Sequence, residues 1–459
     1  VYHGTASDQS GEKMARSQTD AAVTAAGIFQ EIEQAIIHGD YRPGDVLPSI
    51  RELATRRHVS PATVAAAFRR LAERGLTYVE RGVGTKVRAE TLLSDSLGRA
   101  PLPVMNGIVD VASGAPDPAL LPDPNLSLHR LSVAKALYNV EPLLPGIREQ
   151  APNVMADVFN SRPEHFTIAG GALESIADAV AARLRPGDRV IVEDPGFAAA
   201  TSLLRSHALI LVPVSIDDEG FEVDPFAEAI KHGAKAVLYS PRAQNPRGST
   251  LTAQRASDLR TVLNEASKRG KSPFIIENDH ASLICDAPYL SLTESSDSWL
   301  STRSLSKSHG PDLRFAFVAG DELTIERIQR HQALNRGWIS TILQHLVVDL
   351  LSNPDVERLT KQATAEYNRR RARLVETLAT HGVKSYGHSG LNVLVPVDDE
   401  AATSNTLMGY GWQARSGQAY RHARGPFIRL TPAALTNDQI DALALNISDA
   451  FRTKTGSYR

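Results

Sequence analysis

Residues 304–317, SLSKSHGPDLRFAF, place one lysine among hydroxyl residues and an arginine seven positions later. A primary amine becomes a useful nucleophile toward a carbonyl carbon when it is partly desolvated and its pKa falls. Ser304 and Ser306 beside Lys307 offer hydroxyl donors, and Arg314 offers a charge-assisted fork suited to an anion. Alone, such a stretch is an ordinary solvated loop before a strand. Four others share its character. GGALES (170–175) reads as a helix start after a glycine turn, EDPGF (193–197) and QNPRG (244–248) read as turns, and ENDH (277–280) as a polar strand end. Singly, each suits a bland role. Five together, all at strand ends or helix starts, point to one site.

The elements that must position these residues alternate. RVIVEDPGF, AKAVLYSPRAQNPRG, SPFIIENDHASL and LRFAFVAG are apolar runs separated by helical segments, and each run ends in a polar or glycine-bearing stretch. This predicts an α/β fold with a largely parallel sheet, whose ligands bind at the carboxyl ends of the strands.

The region before residue 90 differs. Ile28, Ile32, Ala35 and Ile36 form a helical stripe ended by Gly39. YRPGDVLPS is a turn-rich loop. Ile50 to His58 reads as a second helix with Ser49 as N-cap. Ser60-Pro61 starts a third that ends at Gly75. LTYVERGVGTKVR then gives two short strands around Arg81, Gly82, Val83 and Gly84. Helix, helix, turn, helix and hairpin make a winged helix-turn-helix. From Leu47 to Arg88 there are nine Lys/Arg and three Glu, although the whole chain carries a formal charge of −2. A local basic surface of this kind suits DNA.

The 459 residues are too many for one ordinary core, and 42 % hydrophobic with 22 % charged content is normal for a globular chain. The single cysteine, Cys285, excludes an intrachain disulfide and fits a reducing cytoplasm. No apolar run is long enough to span a bilayer, no signal-peptide core opens the chain, and no repeat has a solenoid period. The expected division is a polar leader over 1–20, unstructured or foreign to a native start at Met14; a DNA-binding domain over 21–90; a linker over 91–110; and a large α/β domain over 111–459.

PGDVLPSIRELATRRHVSPATVAAAFRRLAERGL followed by RGVGTKV resembles the DNA-binding domain of the GntR regulators. The resemblance implies that Arg51, Ser60, Thr63, Arg81 and Gly84 face DNA. The family often has Arg where this chain has Pro61. From about Val111 onward, the order of motifs resembles the fold-type I aminotransferases (aspartate aminotransferase-like), which use pyridoxal 5′-phosphate (PLP). By that resemblance Lys307 carries PLP through its amine. Gly171, Ala172, Leu173, Ser304, Ser306 and Arg314 hold its phosphate, Phe197 stacks on the ring, and Asn245 donates to its phenolic oxygen. Tyr138 reaches the phosphate of a neighbouring subunit, and Arg429 in FIRLTPA pairs with a substrate or effector carboxylate. ENDH departs from the pattern. The family sets an Asp against the ring nitrogen and often a Tyr two or three residues later. Aligning His280 with that Tyr puts Asn278 at the nitrogen; aligning Asp279 with the Asp leaves Ala281 or Ser282 in place of the Tyr. An Asn there would not stabilise a pyridinium, which predicts poor transamination.

A winged helix fused to such a domain resembles the MocR subfamily of GntR regulators. The resemblance implies a homodimeric, promoter-binding regulator in the cytoplasm, responsive to PLP or an adduct of it with an amino compound. It is expected to lack physiological turnover and to serve vitamin B6 or amino-compound metabolism. The alternatives are an active PLP-dependent aminotransferase that also binds DNA, and a regulator whose large domain is a cofactor-free scaffold.

Overall fold

The computed structural model describes residues 24–38, 40–42, 44–73, 76–80, 82–87, 107–135, 137–138, 141–156, 158 and 165–455. The expected leader, Arg81 and most of the expected linker lie outside the described residues. The chain divides into two compact units, Val1–Ser96 and Leu97–Arg459.

The first unit has helices α1 (Ala25–His38), α2 (Ile50–Arg57) and α3 (Pro61–Glu73), then strands β1 (Thr77–Glu80) and β2 (Gly84–Val87), which pair antiparallel. Ser49 caps α2, accepting from the Glu52 N–H at 3.2 Å. His58 turns out of that helix in the left-handed region, at φ 54°. The expected loop YRPGDVLPS is more ordered than its turn residues suggest. Gly44 and Leu47 donate to Val87 and Thr85, and Val46 bridges Lys86, so the loop edges the hairpin. The core is Ile28, Ile32, Leu47, Leu53, Val64, Ala67, Phe68, Leu71 and Val87, the apolar stripe of each element turned inward.

The second unit is built on an eight-stranded sheet. Its strands are β4 (Phe166–Ala169), β5 (Arg189–Asp194), β6 (Ile210–Asp217), β7 (Gly220–Phe221), β8 (Ala236–Tyr239), β9 (Phe274–Asp279), β10 (Trp299–Ser304) and β11 (Ala316–Gly320). A short β3 (Val109–Asp110) precedes them and pairs elsewhere. Their order is β4-β11-β10-β9-β8-β5-β6-β7. The run β10-β9-β8-β5-β6 is parallel; β11 is reversed against both its neighbours.

Successive residues of a strand face opposite sides, so each central strand feeds two cores. Val190, Val192, Ala236, Leu238, Phe274 and Ile276 pack under helices α4 (Ala172–Arg183), α5 (Ala198–Ser206) and α6 (Glu322–Asn335). Ile191, Val237, Tyr239 and Ile275 pack on the other side with Phe226, Leu259 and Leu263. Near-continuous apolar runs, rather than alternating ones, follow from burial of both faces.

A smaller layer follows. β12 (Val393–Pro396), β15 (Phe427–Leu430) and β14 (Arg415–Ser416) form an antiparallel sheet, while β13 (Trp412–Gln413) pairs with β3. Its core takes Leu374 and Leu378 from the long helix Pro354–Thr380 and Ile440, Leu443 and Ile447 from the helix Asn437–Thr455. Among the described residues, no helix is long and apolar enough to cross a membrane.

Candidate functional site

A cleft opens at the carboxyl ends of the parallel strands. Lys307, Asn245, Asn278, His280, Phe197, Ala172, Leu173, Ser304, Ser306, Arg314 and Arg429 all line it. Residues from five separated motifs therefore meet in one place.

One end is rich in donors. Gly171 precedes α4 at φ 105°, a backbone state that L side chains rarely adopt, and a Cβ there would lie 2.6 Å from Arg314 Nη2. The glycine lets the arginine lie against the helix N-terminus, where free N–H groups and the dipole favour an anion. Arg314 itself stands at φ 46° and donates from Nη2 to the Gly170 carbonyl at 2.7 Å. Ser304 Oγ donates to Ser306 Oγ at 3.0 Å and accepts from the Ser306 N–H at 3.2 Å. Lys307 stands just past β10 and donates from Nζ to the Gly114 carbonyl.

At the end of β9 the strand period decides what sequence left open. Asn278 and His280 face the cleft; Asp279 faces away and is fully buried. The expectation that Asp279 touches a cofactor is corrected here: it does not line the cleft. Arg242 grips both its carboxylate oxygens, at 3.2 and 3.0 Å, and Arg303 Nε donates to it at 2.7 Å. Burial alone would push its pKa up, but Arg303 and Arg242 outweigh that and hold it at about 2. Asn278 is the reverse case: its buried Oδ1 has no hydrogen-bond partner among the described residues. Burial, and then the Lys307 charge, hold the His280 imidazole at about 4, so it is neutral near pH 7.

At the other end Arg429, on β15, is 2 % exposed. Its Nη1 donates to Tyr420 Oη at 2.8 Å and Asn245 Oδ1 at 3.2 Å, and its Nη2 to the Ala112 carbonyl. These partners are all neutral, and Nε has none among the described residues. Burial lowers its pKa. A buried guanidinium with only neutral partners is a ready site for a carboxylate. Gly114 lies beside it; a Cβ there would sit 3.2 Å from Nη2.

Tyr138 is 95 % exposed and does not line this cleft. Sequence reasoning missed Tyr420 and Asn392, which brace Arg429 and Asn245. It also missed Arg242, which binds Asp279 away from the cleft. Nothing in the local sequence marks Arg242, since its partners lie 37 to 45 residues away.

On the first unit, Arg51 and Ser60 are exposed and Thr63 is half-buried. Ser60 Oγ accepts from the Thr63 N–H at 3.1 Å and lies 2.8 Å from Thr63 Oγ1, so it caps α3 as its sequence position predicts. Gly82 and Gly84 turn the hairpin at φ 85° and 128°.

Residues 24–87 match the family described as bacterial regulatory proteins, gntR family, and residues 148–447 match aminotransferase class I and II. The vitamin B6 salvage pathway transcriptional repressor PtsJ of Salmonella typhimurium is 34 % identical over 431 residues, covering 93 % of this chain and 98 % of its own. The pyridoxine biosynthesis regulator PdxR of Corynebacterium glutamicum is 25 % identical over 76 % of this chain and 78 % of its own. An archaeal alanine:glyoxylate aminotransferase superposes with a TM-score of 0.69 at 20 % identity, over 77 % of this chain and 92 % of that one. That likeness shows the fold of the second unit. With both family matches in one chain and relatives of the same two-part build, the chain belongs to the MocR-type transcriptional regulators, a GntR winged helix joined to an aminotransferase class I and II domain.

Proposed function

We propose that this regulator binds PLP in the cleft of its second unit and that the bound state changes its affinity for promoter DNA. The observation that carries the proposal is the meeting of Lys307, an anion cradle and Arg429, whose hydrogen-bond partners are all neutral, in one cleft. The residues fit the group. Ala172, Leu173, Ser304, Ser306 and Arg314 would hold the phosphate, and Phe197 would pack on the ring. Asn245 would donate to the phenolic oxygen, and Asn278 would meet an unprotonated ring nitrogen by donating from Nδ2. Bound PLP supplies an aldehyde that condenses with a primary amine, and Lys307 is the amine placed to receive it. Arg429 would take a carboxylate of an amino-compound adduct. The relatives' names tie this chemistry to vitamin B6 metabolism, and PLP is then itself the signal.

Asn278 supports a sensor rather than a working enzyme. A carboxylate would hold a proton on the ring nitrogen, and an amide does not. His280, neutral near pH 7, adds no negative charge beside it. A working aminotransferase is favoured by Lys307, Asn245 and Arg429 sharing the cleft, and opposed by Asp279 lying outside it. We also propose a homodimer, in which the exposed Tyr138 meets the partner, and a cytoplasmic location. A ligand shifts the DNA-binding equilibrium only through different affinity for two states.

The test is the absorbance spectrum of the purified protein with added PLP beside Lys307→Ala, with a promoter fragment titrated into both. The expected result is a visible band that the variant lacks, and DNA affinity that changes with PLP only in the wild type. No band in either protein would leave a cofactor-free scaffold. Added amino acids that convert the band with steady release of keto acid would establish an enzyme.

A further inference from the structure

The donor-rich end of the cleft holds an anion of its own. Glu174 stands in the first turn of α4, next to Ala172 and Leu173, which line the cleft. Its Oε2 accepts from the Gly170 N–H, while the carbonyl of the same residue accepts from Arg314. A carboxylate there is well placed for the helix dipole when nothing else binds. It is badly placed for a phosphate, which would take the same helix end. Two like charges within a few ångströms disfavour each other.

Arg336, just past the end of α6, answers this conflict. Its Nη1 donates to Glu174 Oε1 and its Nη2 to Asp178 Oδ2, one turn further along α4. Glu174 and Arg336 side chains are 33 % and 22 % exposed, so water screens their pair only partly. Asp178 is buried and keeps other partners, Gln332 Nε2 at 3.0 Å and His331 Nδ1 at 3.1 Å. A Cβ at Gly170 would meet Glu174 Oε2, so a side chain there would displace the Glu174 carboxylate. A single chain of contacts thus runs from Arg336 through Glu174 and Gly170 to Arg314.

We infer that Arg336 is a positioning residue for phosphate recognition: it neutralises Glu174 and holds it against Gly170, leaving the helix end and Arg314 to a phosphate monoester. This rests on the PLP reading above and adds which residues outside the cleft govern its phosphate end. Removing Arg336 leaves an unbalanced carboxylate beside the phosphate. Removing Glu174 as well takes the repulsion away.

The experiment titrates PLP and pyridoxal, the same aldehyde without phosphate, into the full chain by absorbance. Arg336→Gln is expected to weaken PLP about tenfold, a modest partly screened charge effect, and to leave pyridoxal unchanged. The double variant Glu174→Gln/Arg336→Gln is expected to recover most of that loss, and Arg336→Lys to retain most PLP affinity. Glu174→Gln alone keeps Arg336 on Asp178 and tests the idea even if Arg336→Gln fails to fold; it should bind PLP at least as well as the wild type. Equal weakening of PLP and pyridoxal, no rescue in the double variant, or weaker PLP binding by Glu174→Gln would each overturn the inference. A wild type that binds neither compound would sink the PLP reading itself and this inference with it.

Discussion

On one side of the carboxyl end of β9, the Asp279 carboxylate pairs with Arg242 and Arg303, all three buried. On the other side, one residue away, Asn278 Oδ1 has no partner among the described residues, nor does Arg429, across the cleft, have a carboxylate among them. Both sides bury polar groups deeply. Among the described residues, only the first holds ion pairs. A buried polar group left unmet costs about 1–3 kcal/mol, so retaining several in one cleft makes sense where a ligand completes them. The first side holds the fold together; the second leaves groups that the proposed ligand would complete.

The comparison breaks most readily at Asp279. Asp279→Asn strands two buried guanidinium groups and should cost about 3–5 kcal/mol in urea unfolding. A loss under about 1 kcal/mol would erase the distinction. The pH dependence has its own sign. The folded pKa is depressed to about 2, so this stabilisation is present above about 4 and is lost as pH falls toward 2.

Glu193 gives the opposite slope. Burial raises its pKa to about 8, against the bonds from the Ser240 N–H and Gln244. Its folded pKa exceeds the unfolded value of 4.5, so its contribution is full below 4.5 and is lost as pH rises through about 8. Stability should fall by up to about 1.4 kcal/mol per pH unit within that window. Glu193→Gln should flatten the wild-type slope there; identical slopes would contradict the assignment.

Smaller effects sharpen the picture. Ser49→Ala removes the satisfied cap of α2 and should cost about 1 kcal/mol in thermal unfolding, with no change in PLP binding. Asn278→Leu removes an unsatisfied amide from the cleft wall. It should change stability by less than about 1 kcal/mol in either direction while weakening PLP. A loss of several kcal/mol would mean that Asn278 serves the fold after all.

Much of this was legible in the sequence. Ser49 and Ser60 announced helix starts by residue type, and the apolar runs announced buried parallel strands. Lys307 is visible because Ser306 and Ser308 flank it, and Arg314 because it follows seven positions later at the start of an apolar run. Which of Asn278 and Asp279 faces the cleft was not legible. Period two says only that they face opposite ways; the packing of α4 and α5 on one side says which way is which. Arg242 and Tyr420 escaped because their partners are brought together by the chain's return. The residue types of the loop before α2 suggest turns alone, because backbone pairing with β2 leaves no mark on residue type.

The carbonyls of Ala112 and Gly114 carry a last consequence. They accept from Arg429 and Lys307, the two cations that the proposed ligand would claim at opposite ends. Backbone oxygen and ligand are therefore rivals for the same donors. In the proposed complex the peptide of residues 112–114 would give up these donors as the ligand takes them.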